Sequence, residues 1–334
     1  MDWSSNVTVH ESAFPEAVRN RILEALRAGE VDPALLYQGL GQTLRWTALY
    51  EAYSPAKTDP GCGALYDEAF QRAAAQCKGN VVHLVSLACG DGTKDSRCLK
   101  LLRESGRAAI YTPADISVEM VLSAEQTVTD VLPGTQSTPL VCDLAHCSVL
   151  PGILKAFDPS GAERILLFLG TIHNYWPPDV LRSLLYPLRS QDQLVIGANL
   201  APSEDYDRAV QRIIQQYDND LTREWLMGAV RELNVSREEG RLEFSLRAAE
   251  SIPALKRIQV DFVFERKKLI QFFEKTVQFD AGQRLRLFFS YRFTREHIRD
   301  FLKQAGLAVH AEWIGAGGEE GLFLCKREAS GGSR

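Results

Sequence analysis

Apolar residues recur at three- and four-residue intervals from Pro15 to Gly29 and again from Pro33 to about Tyr53, which predicts helices; Pro60 opens another, ending near Lys78-Gly79. The texture then changes. Short apolar runs, VVHLVSLA (81–88), AAIYTPA (108–114), TPLVCDL (138–144), RILLFLG (164–170) and QLVIGANL (193–200), predict strands buried on both faces of a parallel sheet. Between them lie KDSRCLKLLRES, SVEMVLSAEQTV, the segment around Ile153-Leu154 and PPDVLRSLLYPLRS, each of crossover-helix length. Repeated strand-helix-strand units joined by right-handed crossovers imply an open, doubly wound α/β sheet.

Beyond Pro202 the alternation stops. Two helical stretches, about 203–219 and 221–234, lead into β-rich segments with turn signals near Glu239-Gly240 and Ala281-Gly282, the pattern of an insertion. The core pattern then returns with a helix from Thr294 to Ala305, the strand LAVHAEWI, the turn GAGGEEG and the strand LFLCK, a hairpin that makes the last strand antiparallel. The tail ASGGSR carries no structural signal and is expected to be loose.

The 334 residues are enough for two modest cores. A net charge of −5 without a Lys/Arg-rich run argues against nucleic acid and for a small-molecule substrate. The N-terminus lacks a basic segment followed by an apolar run, and no stretch of about 18 apolar residues occurs, so a cytoplasmic protein without membrane association is expected, as a monomer or weak homo-oligomer. Seven cysteines form no CxxC pair and six histidines no HExxH, so reduced thiols and no metal are expected.

The sharpest local feature is SLACGDGTK, Ser86 to Lys94, at the carboxyl end of the first core strand. A strand, a Gly-rich bend and a helix N-terminus present backbone N–H groups to an anionic group, either a dinucleotide pyrophosphate or the carboxylate end of S-adenosylmethionine. A nicotinamide fingerprint wants GxGxxG, but Ala88, Gly90 and Thr93 occupy the three positions. Asp115 ends the second strand and is placed to accept both ribose hydroxyls of an adenosine cofactor, or else to cap the helix starting near Ser117. Asp143 ends the third strand, within reach of an adenine amino group.

With LLFLGTIHNYWPPDVLRSL the chain resembles the FLGxTIGN segment of the histidine-specific, S-adenosylmethionine-dependent methyltransferase family, which includes ergothioneine-pathway histidine Nα-methyltransferases and fungal dimethylallyltryptophan N-methyltransferases. SPAKTD, LACGDGTK, YTPADIS, DQLVIGANL, YDNDLTREWLMGAVRELN and FSYRFTREHIRDFLKQAGL match in order and spacing. The resemblance implies a Rossmann-like methyltransferase core, a seven-stranded sheet with an antiparallel last strand, at 61–200 and 291–328. It also implies a smaller α+β substrate lobe built from 1–60 and 201–290, leaving 329–334 as tail. Ala88, Cys89, Gly90, Lys94, Asp115, Asp143 and Gly170 fall at cofactor positions; Tyr53, Gly170, Asn174 and Tyr217 fall at substrate positions, with Tyr53, Asn174 and Tyr217 nearest the chemistry.

The departures bear on substrate. The family's Glu and Ser that hydrogen-bond an imidazole appear as Phe288 and Ser290, its FNxN run as Trp225-Leu226-Met227-Gly228, and its Gly as His173. Losing a buried carboxylate makes the pocket apolar. The expectation is N-methylation, in secondary metabolism, of an amino acid or derived amine with an apolar or aromatic side chain; O- or S-methylation of another metabolite and a non-catalytic cofactor-binding subunit are the competing readings.

Overall fold

The strand Val81–Leu87 is buried at every position but its first and lies in the middle of the larger sheet. The computed structural model describes residues 5–158, 160–202, 204–249 and 252–328. From one edge the strands run Thr8–Val9, Leu140–Val141, Ala108–Asp115, Val81–Leu87, Glu163–Leu169, Gln193–Asn199, Glu320–Arg327 and Leu307–Ile314. All pairings are parallel except those of Glu320–Arg327, which is antiparallel to both neighbours. The sheet is thus a Rossmann-like α/β sheet with an antiparallel last strand. Alternate residues feed two cores: Val85, Leu87, Leu166 and Phe168 face one side, Val82, Leu84, Ile165 and Leu167 the other.

Several expectations need correction. Among the described residues the sheet has nine strands, not seven; the additions are the two-residue Thr8–Val9 and Gln136–Ser137. Residues 1–60 therefore do not stay out of the core sheet, because Thr8–Val9 extends its edge. The third run, 138–144, yields only Leu140–Val141, since Pro139 has no N–H for a ladder and Asp143 turns the chain into the 3-10 turn Leu144–His146. The expected helix over 33–53 is two, Ala34–Tyr37 and Leu40–Tyr53, separated at Gly39, whose φ of +86° a helix cannot contain.

After Gln193–Asn199 come the helices Tyr206–Tyr217 and Asp220–Glu232 and a three-stranded antiparallel sheet ordered Arg284–Arg292, Lys256–Phe264, Gly240–Ala248. A hairpin, Lys268–Phe272 with Lys275–Phe279, completes the insertion. Ile22, Leu26 and Leu36 from the first helices share an apolar core with Trp225, Val230, Phe262 and Leu285. Backbone bonds stitch the two segments together: Arg286 N–H donates to Gly29 O at 2.8 Å and Val31 N–H to Arg286 O at 2.9 Å. No helix among the described residues is long and apolar enough to cross a membrane.

Candidate active site

In parallel α/β sheets the crevice opens at the carboxyl ends of the strands, where the chain switches from one side of the first strand to the other. Here that point lies between Val81–Leu87 and Glu163–Leu169. The backbone reverses there through Ala88, Gly90 and Gly92, with φ of 59°, 56° and 74°, before the helix Thr93–Glu104. Glycine is required at 92, because a Cβ would stand 2.6 Å from Ala124 Cα and 2.8 Å from Ala124 O. The first helical turn is anchored by Asp95, which accepts from the Ser86 hydroxyl at 2.9 Å and the Tyr111 hydroxyl at 2.6 Å. Burial pushes the Asp95 carboxyl up to about 6, against the pull of those two bonds.

One strand away, Asp115 accepts the Ser117 N–H at 3.0 Å on one oxygen and the Gly90 N–H at 3.4 Å on the other. Burial raises its carboxyl to about 6, and the N–H groups of Ser117, Gly90 and Ile116 oppose the rise. Asp115 lines the cavity, and the cap of the helix Val118–Val131 is not Asp115 but Ser117, whose hydroxyl accepts the Met120 N–H at 3.3 Å. Asp143 accepts the Ala145 N–H at 2.9 Å, with His146 Nδ1 at 2.8 Å and Arg21 Nε at 3.3 Å from its second oxygen. Burial works to raise the Asp143 carboxyl, but His146, Arg21 and the Ala145 N–H outweigh it and hold it below the usual range.

These strand ends line a cavity of about 400 Å³. Across it stands Gly170, whose φ is +69° and where an added Cβ would lie 3.8 Å from Lys94 Nζ. Lys94 Nζ sits 5.0 Å from the Tyr66 ring centroid and 5.6 Å from that of Tyr50, so two aromatic faces carry its charge. Cys89 also lines this end.

The opposite wall is aromatic. The Phe288 ring lies 5.4 Å from Trp225, edge to face, and 6.1 Å from Tyr217, nearly parallel; Tyr37 is 5.6 Å from Trp225. Trp225 is locked by donating from Nε1 to Leu36 O at 2.9 Å, and Phe288 is aimed by an irregularity in strand pairing between Arg286 and Phe288. The Asn174 amide stands beside the Tyr37 hydroxyl, with its Oδ1 buried and unpartnered.

Of the residues singled out from the sequence for the substrate side, Ser290 and the run Leu226, Met227 and Gly228 are absent from the cavity wall. Ser290 is fully buried and accepts the Tyr217 hydroxyl at 3.4 Å, so it supports Tyr217 from outside. Tyr53 reaches the wall only at the rim and is 51% exposed. Sequence reasoning missed Tyr37, Asn199, Arg292 and Glu320, which also line the cavity. The only signal for Tyr37 was Gly39, whose helix break turns the preceding residues inward; Arg292 lay unread within FSYRF.

Residues 18–327 match the family described as histidine-specific methyltransferase, SAM-dependent. Over 267 residues the chain is 23% identical to the histidine N-alpha-methyltransferase of Mycobacterium tuberculosis (strain CDC 1551 / Oshkosh), covering 76% of this chain and 77% of that protein. Among solved structures it is similar to the CurJ carbon methyltransferase (TM-score 0.49, 14% identity, 94% of this chain and 68% of that one). It is also similar to an O-methyltransferase family protein from Burkholderia thailandensis (TM-score 0.48, 12% identity, 93% and 68%). The family match spans nearly the whole chain, core and insertion alike, and the chain belongs to the histidine-specific, S-adenosylmethionine-dependent methyltransferase family.

Proposed function

We propose that this S-adenosylmethionine-dependent methyltransferase N-methylates an amino acid, or an amine derived from one, whose side chain is apolar or aromatic. The observation that carries the reading is the aromatic wall in which Phe288 lies against Trp225 and Tyr217. A flat apolar group gains contact area on such a wall, whereas an imidazole nitrogen facing Phe288 goes unpaired.

The residues present fit the cofactor. Asp115 accepts the Ser117 and Gly90 N–H groups on separate oxygens and faces the cavity, where it would accept the two ribose hydroxyls, and Asp143 faces the same cavity for the adenine amino group. The Lys94 ammonium would hold the methionine carboxylate beside the loop at Ala88, Cys89 and Gly90, and Gly170 leaves room there. When bound, the cofactor supplies an electrophilic methyl group on a sulfonium that leaves as a neutral thioether.

On the substrate side Asn174 and Tyr217 orient the amine, and Tyr53 borders the entrance. Partial desolvation in the cavity favours the neutral amine, so positioning suffices without a strong base. His173 does not serve as one: burial, then the charges of Arg292 and Lys94, hold its imidazole well below the usual range. In this reading the first helices and the insertion form a substrate lobe over the Rossmann-like core, and the reaction takes place between them.

The test is S-adenosylhomocysteine release across a panel of amino acids, arylalkylamines, phenols and thiols. Release with amines supports the proposal; release confined to hydroxyl or thiol compounds rejects it.

A further inference from the structure

Arg21, carried by the helix Pro15–Arg27, comes to rest against one end of the cofactor crevice. Its Nε lies 3.3 Å from Asp143 Oδ2 and 3.6 Å from Asp32 Oδ2, and its side chain is only 12% exposed, so water screens the charge little. Both carboxylates line the cavity, whereas Arg21 stands outside the wall. The contact is one of charge rather than of aligned hydrogen bonds, because Nε and Nη2 have no hydrogen-bond partner among the described residues.

Ser12 sets this geometry. Its carbonyl accepts from Arg21 Nη1 at 2.7 Å, and its hydroxyl accepts the Asp143 backbone N–H at 3.0 Å. One residue therefore fixes the guanidinium and the carboxylate relative to each other. Ser12 is itself tied to the sheet edge, where Thr8–Val9 pairs with Leu140–Val141 and His10 N–H donates to Val141 O at 2.9 Å. On its far side Asp143 accepts the Ala145 N–H through Oδ1 and meets His146 Nδ1 through Oδ2.

Two carboxylates on one cavity repel. Burial first raises the Asp32 carboxyl, and Asp143 adds to the rise, while Arg21 acts to lower Asp32 and Asp143 alike. The other titratable groups facing Asp143 are His146, the Cys142 and Cys147 thiols and the Tyr175 hydroxyl, with Glu11 facing Cys147. Among them His146 loses its charge as pH rises; the guanidinium keeps its own throughout. An ionised carboxylate only accepts, whereas a protonated one also donates. The charge state of Asp143 thus decides which edge of a purine it takes.

We infer that Arg21 is a positioning residue for the cofactor: set by Ser12 between Asp32 and Asp143, it keeps Asp143 a pure acceptor, so that the site selects a 6-aminopurine over a 6-oxopurine. This rests on the proposed function for the contact between Asp143 and the adenine amino group. A 6-oxo group turns a carbonyl oxygen toward the same carboxylate, acceptor against acceptor. The first long helix, expected to serve the substrate, then also serves cofactor choice.

The protein is titrated calorimetrically with S-adenosylhomocysteine and with S-inosylhomocysteine, which carries a 6-oxo group in place of the amino group. Wild type, Arg21→Met, Arg21→Gln, Arg21→Lys and Asp143→Asn are compared from about pH 5 to about pH 8. Arg21→Gln retains a donor for Ser12 O without the charge. The readout is the ratio of the two affinities, from which the titration of Asp115 and any general loss of stability cancel. The wild type should prefer S-adenosylhomocysteine roughly tenfold or more across the range. Arg21→Met and Arg21→Gln should lose most of that preference, and more of it toward acid pH, because the Asp143 carboxyl rises once the cation is gone and its protonated form donates to a 6-oxo group. Arg21→Lys should restore it. Asp143→Asn should abolish it at every pH, since an amide can present either its oxygen or its NH₂. An unchanged ratio in both neutral Arg21 variants, or equal weakening of the two ligands, overturns the role of Arg21 while Asp143→Asn still reports the adenine contact. A preference that survives in Asp143→Asn rejects that contact, and the inference with it.

Discussion

The Gly90 N–H donates to Asp115 across 3.4 Å, tying the glycine loop after Val81–Leu87 to the acidic end of the neighbouring strand. The bond makes loop and carboxylate one unit. Its consequence is that the acceptor is oriented before the cofactor arrives, while burial holds its carboxyl up to about 6.

Asp115→Ala should weaken S-adenosylhomocysteine binding by about 1.5 to 3 kcal/mol, the range for losing hydrogen bonds to a charged group. The pH dependence follows from the raised carboxyl. Hydroxyl donors favour the ionised form, so the complex binds fewer protons than the free protein below about pH 6. Affinity should be flat above that value and fall as pH drops through it. Calorimetry across the range checks both; unchanged affinity in the variant would exclude Asp115 from the site.

Gly92→Ala should destabilise the protein by at least about 2 kcal/mol, combining left-handed backbone strain with overpacking. The clash is with Ala124 backbone, which cannot swing aside. Gly134→Ala is the control, since its φ of +82° is similar but nothing lies within 4 Å of its Cβ position. Urea unfolding of the two variants should separate them clearly; equal losses would mean that contact with Ala124 contributes nothing.

Asp192 is fully buried and accepts from Arg164 Nε at 2.8 Å, Arg189 Nε at 3.1 Å and the Arg189 N–H at 2.9 Å. Asp192→Ala leaves the buried Arg164 guanidinium without its counter-charge, a change that costs about 3 to 5 kcal/mol. Chemical denaturation measures it. A loss below about 1 kcal/mol, the size of an exposed pair, would show that water reaches Arg164.

Histidine should be a poor substrate, disfavoured by up to roughly a hundredfold relative to tryptophan or tyrosine, because an imidazole nitrogen against Phe288 has no acceptor. Phe288→Glu should narrow that gap. The measurement is kcat/KM for the three amino acids on both proteins. Efficient histidine methylation by the wild type, with no gain in the variant, would contradict the role given to Phe288.

The local features were legible in the amino-acid order. Runs such as RILLFLG read as doubly buried strands because burial on both faces leaves no polar alternation, and SLACGDGTK reads as a ligand loop because its glycines permit the reversed backbone that Gly90 and Gly92 adopt. Asp115 and Asp143 were legible because strand ends in a parallel sheet all point to one crevice. Matching motifs extended the reading to Lys94, Gly170, Asn174 and Tyr217, all on the cavity wall, and to Ser290, which is not.

Which distant residues meet depends on how the segments pack. Periodicity reports that a residue is buried, not against what, so nothing in the chain linked Tyr37 to Trp225 or His173 to Arg292. Those pairs arise because the N-terminal helices and the insertion share one core, and because Phe293 joins the end of one sheet to Asn199 in the other. A hydrophobic core is non-directional and can be filled by many segments; the backbone hydrogen bonds at Gly29–Arg286 and Asn199–Phe293 select one arrangement, and that arrangement sets the substrate wall.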